Sequence, residues 1–280
     1  MKTFIFGHSL IVHDPPLIPV PSDETAVPHW MRLLAITAGY DYAADGQYGF
    51  LPQHAQLPPS PQWGFDSVPG VWQEPASFAD SDFTTVLITA ANFIQYQPAT
   101  EPYDGVNPDN ITPLGATLDI IDWVNQQEPG IDVYIYENWP DMGYLPFPPS
   151  SEQFAEYNAI VLNTFHQWWV DYMAEIVAAR PALNVRMIPV GPVISHLLTT
   201  TDLGQIPITE LYEDNAPHGR ATIYFLAALV TYMTTYGVKA PDGFQVPVLV
   251  HERIRNNYQR VVDDIWLELQ QRGAVPAGAD

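Results

Sequence analysis

Short β-rich runs alternate with longer helical stretches along this chain, and that alternation restricts its fold more than any other feature. The runs are Thr3–Phe6, Asp41–Ala44, Thr84–Ala90, Asp132–Glu137 and Val185–Val190, chosen by β-branched and aromatic content and by the turn signals around them. Helical stretches fall at Val27–Ala38, Gly115–Gln127, Glu152–Ala179, Arg220–Tyr236 and Ile254–Arg272. The third opens on Ser150-Ser151, which suits a cap, and stops before Pro181. Strands joined through helices pair in parallel by right-handed crossovers and need cover on both faces. The expected fold is therefore α/β, a five-stranded parallel sheet with helices on both sides, in three layers. With no internal repeat and no linker, a single domain over residues 1–280 is expected.

Many of the 28 prolines lie in two loops, about 50–80 and 93–113. Each follows the carboxyl end of an expected strand, the edge at which open parallel sheets bind ligands. Long loops in compact domains are usually functional.

Charge narrows the partners. Ten Lys and Arg against 32 Asp and Glu give a net charge of −22, which repels phosphate backbones and anionic lipid, so neither nucleic acid nor membrane is expected. A neutral small molecule or oligosaccharide is the easier match. Without cysteine the chain has no thiolate nucleophile and no Cys-based zinc site. No apolar run is long enough to span a bilayer. The first apolar stretch ends at Gly7 rather than continuing as a secretion signal, so a cytoplasmic location is expected, although a processed secreted form would read the same way.

The chemistry starts at the first strand. Thr3–Phe6 runs into Gly7-His8-Ser9-Leu10, which puts a hydroxyl at the carboxyl edge of the sheet with a glycine to permit the turn. A serine there is either a cap or a nucleophile, and a nucleophile needs a base, an acid to orient that base, and oxyanion donors. His218 in "LYEDNAPHGRATIYFLAALV" follows the last strand, and Asp214 and Glu213 precede it closely. Pro217 keeps this stretch from being a simple helix start. Gly46 and Gly49 in "AADGQYGF" offer backbone N–H groups, and Asn92 in "LITAANFIQY" offers an amide.

Ser9 in a Gly-x-Ser-Leu, a Gly block, an Asn block and a late Asp…His block, in that order over about residues 3–230, resemble the SGNH, or GDSL-type, hydrolases. The resemblance implies a flavodoxin-like fold, Ser9 as nucleophile, His218 as base, and an oxyanion hole from the Ser9 and Gly49 amides and the Asn92 side chain. It also implies a cofactor-free, metal-free serine esterase. Three positions depart from the family pattern. His8 stands where the family has Asp, Ala90-Ala91-Asn92-Phe93 replaces Gly-x-Asn-Asp, and the residue three before His218 is Asn215. Asp214 is preferred as the acid, with Glu213, Asn215 or no acid as alternatives. Gly49 is preferred to Gly46.

His8, His13 and His54 match no common metal spacing and are read as core or surface histidines, with His8 and His54 also as substrate contacts. Trp63, Trp139 and Tyr144 are candidate substrate residues, together with Trp72, Tyr96 and Tyr103, since flat aromatic faces beside Gln53, Asn107 and Asp141 suit a sugar ring. The expected task is hydrolysis of small acyl esters, most readily O-acetyl groups on a carbohydrate. An acyltransferase with the same residues and a non-catalytic sugar-binding module are the alternatives.

Overall fold

A computed structural model describes residues 1–13, 22–61, 63–65, 67–73, 75–90, 97–103, 107 and 109–276. The elements run β1 (Lys2–Gly7), α1 (Val27–Thr37), β2 (Ala43–Tyr48), α2 (Leu51–His54), β3 (Thr85–Ile88), α3 (Pro113–Gln127), β4 (Asp132–Tyr136) and α4 (Ser151–Ile160). A π-helical turn at Val161–Phe165 leads into α5 (His166–Ala179). Then come β5 (Val185–Ile188), α6 (Val190–Thr200), α7 (Ile208–Leu211), α8 (Ala221–Tyr236), α9 (Glu252–Arg255) and α10 (Tyr258–Gln271). The five strands form one sheet in the order β2-β1-β3-β4-β5, and β1 pairs in parallel with both β2 and β3. That is the flavodoxin-like doubly wound order, whose chain direction switches between β1 and β3. The expected α/β class and parallel sheet are what the structure has.

Packing divides the chain into two compact units, interleaved in sequence. The first comprises Met1–His8, Tyr42–Glu137 and Gln167–Met187. Its core is aromatic: Phe4 lies with Phe6, Trp72, Phe78 and Phe83 at centroid distances of 4.9–5.8 Å. The second strand begins two residues later than expected and runs through the stretch read as a loop. Ala-Ala-Asp-Gly has little strand propensity, and tertiary pairing overrides it. Gly46 is required here, because a Cβ would come within 2.6 Å of the Ile5 carbonyl oxygen on β1.

The Pro-rich loop covers the β2 edge, which would otherwise present unpaired backbone groups. Gly46 and Trp63 exchange N–H···O bonds of 2.9 and 3.0 Å, and Ala44 N–H donates to the Pro69 carbonyl at 3.0 Å. The buried Asp45 carboxylate accepts the N–H groups of Val71 and Trp72. A buried carboxylate needs such partners, and the loop is tied down as a result.

The second unit comprises Ser9–Asp41, Asn138–His166 and Ile188–Asp280. Its centre is α8, apolar on every face and buried along almost its whole length, as a helix enclosed by others must be. Trp30 of α1 meets Phe225 of α8 edge-on at 5.3 Å. Helix α6 is not among the expected helices, and it runs through Gly191-Pro192. Pro192 sits in the first turn, where its missing N–H has no intrahelical partner to lose. At Gly191 a Cβ would come within 2.4 Å of the Asn138 carbonyl oxygen. The long helix expected over Glu152–Ala179 is divided by the π-helical turn, and Ser150 caps it as expected, accepting the Gln153 N–H at 3.3 Å. Among the described residues, no helix is long and apolar enough to cross a membrane.

Candidate active site

Ser9, Asp214 and His218 all belong to the second unit. Ser9 follows β1 directly, and Tyr224 of α8 donates its hydroxyl to the Ser9 carbonyl, which fixes the turn that presents the side chain. His218 stands at the end of a closed loop. Tyr212 and Gly219 form an antiparallel bridge, and Glu213 N–H donates to the His218 carbonyl at 2.8 Å. The Asp214 carboxylate shapes the loop from inside, with Oδ1 accepting the N–H groups of Ala216 at 2.9 Å and His218 at 3.0 Å. This is the local side chain-to-backbone bonding that Asp favours in turns.

The loop and Ser9 together align three side chains. His218 Nδ1 donates to Asp214 Oδ2 at 2.7 Å, and His218 Nε2 lies 3.0 Å from Ser9 Oγ. With Nδ1 protonated, Nε2 is the acceptor for the serine hydroxyl. Burial alone would raise the Asp214 carboxyl. That effect is outweighed by hydrogen bonds from the His218 ring and backbone and from Ala216, and the group lies below its ordinary value. It therefore stays ionised, which orienting and stabilising an imidazolium requires. The acid four residues before the histidine thus occupies the orienting position. Glu213 points elsewhere, to His13 Nε2 at 3.5 Å.

The two glycines considered as oxyanion donors have backbone partners of their own. The Gly49 N–H donates to the Gly7 carbonyl at 2.9 Å, extending the β1–β2 ladder, so the amide is already committed. The Gly46 N–H is likewise taken by Trp63. Asn92 and Tyr96 lie outside the described residues.

His8, expected to touch substrate, is buried, with Nε2 at 2.7 Å from Thr89 Oγ1 and 3.1 Å from the Ala90 carbonyl. In the position where the family has Asp, it ties the end of β1 to the end of β3. His54 is fully buried as well, edge-on to Phe6 at 5.5 Å. Trp139, read as a substrate face, is 2% exposed and donates its indole N–H to the Pro217 carbonyl at 3.0 Å. Together with Met142, whose N–H donates to the Asn215 carbonyl at 2.7 Å, it clamps the loop that carries Asp214 and His218. Tyr103 is buried, and Trp72 is half-buried with its ring 5.8 Å from that of Phe4. Of the described aromatic candidates, Trp63 and Trp72 are half-buried and Tyr144 is exposed. Gln53, Asn107 and Asp141 brace their own loops. Three residues that matter at the site carried no recognisable signal: Tyr224, Trp139 in its clamping role, and His13, considered below.

His54 has a measurable consequence. Burial, and after it the nearby His8, disfavours its charged form against the opposing Gly49 and Gly7 carbonyls, which puts its pKa at about 4 instead of 6.5. The unfolded chain binds this proton below about pH 6.5 and the folded chain only below about pH 4. The contribution of neutral His54 is therefore complete above the upper value, declines between the two, and is constant below the lower one, for a loss of about 3 kcal/mol. In urea denaturation, the wild-type midpoint should fall more between about pH 7 and about pH 4.5 than that of His54→Met. Equal falls in the two proteins would contradict the assignment.

Among the described residues, no group of three or more His, Asp and Glu side chains is placed to hold a metal ion. No family model and no curated protein matches the sequence. Among solved structures, the chain is similar to a candidate SGNH hydrolase from Slackia heliotrinireducens, with 14% identity over 84% of this chain and 98% of that one and a TM-score of 0.43. It is also similar to a DUF4886 family protein from Bacteroides uniformis, with 11% identity over 95% of each chain and a TM-score of 0.60. The second likeness is one of fold.

Proposed function

We propose that this chain is a serine hydrolase of the SGNH type that cleaves small acyl esters through an acyl-enzyme on Ser9. The observation that carries this reading is the unbroken hydrogen-bonded line from Asp214 through His218 to Ser9, at 2.7 and 3.0 Å. Ser9 Oγ attacks the ester carbonyl while His218 Nε2 takes the hydroxyl proton. The same proton then goes to the departing alkoxide, and water repeats the sequence to release the acid. Asp214 selects the tautomer with Nδ1–H and stabilises the imidazolium. The Ser9 amide and the Asn92 side chain are the proposed oxyanion donors, because a role for Gly49 would require its amide to leave the Gly7 carbonyl.

For substrate we propose a neutral, short acyl ester, with O-acetyl groups on a carbohydrate preferred. The net charge of −22 supports neutrality, and Tyr144, at 58% exposure, supports a flat ring-binding face. The test is a p-nitrophenyl ester chain-length series beside a panel of acetylated mono- and oligosaccharides. The expected result is acetate release from at least one sugar and kcat/KM falling toward long acyl chains. A steady rise with chain length and no acetate from any sugar would redirect the reading to lipid esters.

A further inference from the structure

His13 lies outside the relay yet touches it. Its imidazole stacks face to face on that of His218, with centroids 3.8 Å apart and planes within 5° of parallel. On its other side, His13 Nε2 lies 3.5 Å from Glu213 Oε2, and both side chains are largely buried, at 15% and 9% exposure. We infer that His13 and Glu213 form a second histidine–carboxylate pair that positions the catalytic base and, by taking a proton of its own, governs when that base can take one. The inference rests on the triad reading above.

The two rings reach this geometry by independent routes. His13 is held by its backbone: its N–H donates to the Thr25 carbonyl at 3.1 Å, the Thr25 hydroxyl donates to the His13 carbonyl, and Val12 bridges Ala26. His218 is held by its own loop, and Glu213 sits at the other end of that loop. The result is a line of four groups, Asp214, His218, His13 and Glu213, with the carboxylates outside and the imidazoles in contact between them.

Two consequences follow. Parallel rings at 3.8 Å are in van der Waals contact, so His13 covers one face of His218 and resists its rotation away from Ser9. Two imidazolium charges at that distance repel, so the rings cannot both be protonated without cost, and their titrations are coupled. The other charged groups nearby are Asp214 on the His218 side and, across a cavity of about 480 Å³ next to Glu213, Glu210, Arg220 and His251. In the acyl-transfer step His218 takes the Ser9 proton, and a proton already on His13 opposes that. Protonated His13 is therefore the slow form.

The test is log kcat/KM against pH for wild type, His13→Ala and His13→Phe, with an NMR titration of the His218 ring in wild-type protein. The wild-type acid limb should extend over a wider pH range than one proton gives, and the His218 signal should move in two steps. His13→Ala should lose about tenfold in kcat at unchanged KM. His13→Phe, which keeps a stacking ring without a proton site, should recover most of that loss and give a single-proton limb. An active enzyme whose His218 titrates in one step, with the same limb in wild type and His13→Phe, would overturn the inference. A two-step His218 titration in a protein that turns over no ester would support the coupling and count only against the esterase reading.

Discussion

Ser9→Ala should lower kcat/KM for p-nitrophenyl acetate by about 10⁵–10⁶, because the nucleophile and its base act as a unit and losing one forfeits the covalent path. The fold should be kept. Ser9 is held through its backbone, by the Tyr224 hydroxyl on its carbonyl, and its side-chain contact in the site is to His218. The same melting temperature with activity lost is therefore the expected pair of results. Tyr224→Phe offers a graded comparison, since it removes the bond that sets the Ser9 turn while leaving the hydroxyl of Ser9 in place.

Asp214→Asn should be nearly as severe, lowering kcat by about 10⁴ with little change in KM, since an amide favours the wrong imidazole tautomer and cannot stabilise the imidazolium. Two hydrogen bonds from backbone amides distinguish this residue from Glu213. Asp214 Oδ1 accepts the amides of Ala216 and His218 while Oδ2 accepts the ring N–H, so one carboxylate both builds the loop and orients the base. Asn can still accept both amides and keep the loop, which makes the substitution a test of charge and tautomer. Glu213→Gln acts one ring further away and should cost much less. Comparing kcat for the two variants decides the assignment. A Glu213→Gln loss equal to or larger than that of Asp214→Asn would transfer the orienting role to Glu213.

How much of this was legible before the structure depended on what each residue's neighbours contribute. Strands β1, β3, β4 and β5 were visible because their own side chains are β-rich. β2 was not, since Ala43-Ala44-Asp45-Gly46 is a strand through its pairing with β1 and the cover of the Trp63 segment. Helix α6 was not expected either, and it tolerates Gly191-Pro192 because the pair lies in its first turn. At the site, Ser9 and His218 could be matched because each follows a strand in a recognisable order. The choice of Asp214 over Glu213 needed the closed loop, in which one carboxylate turns in and the other turns toward His13.

The aromatic candidates divide for one physical reason. A tryptophan or tyrosine in a loop has the same letter whether it faces solvent or core, and here Tyr103 and Trp139 are buried, Trp63 and Trp72 half-buried and Tyr144 exposed. An amide's partner is likewise invisible in sequence, and the Gly49 and Gly46 amides are engaged by backbone carbonyls. His13 had no signal at all, since nothing in a position four residues after Ser9 says which ring, about two hundred residues later, it will lie against.

The central claim is that Ser9 is a nucleophile activated by His218, and covalent labelling tests it most directly. Wild-type protein is incubated with a fluorophosphonate and the labelled peptide is identified by mass spectrometry. The expected result is one adduct per chain on Ser9, absent from Ser9→Ala and formed far more slowly in His218→Ala. An unmodified Ser9 in folded wild-type protein, or an adduct on another residue that persists in Ser9→Ala, would contradict it.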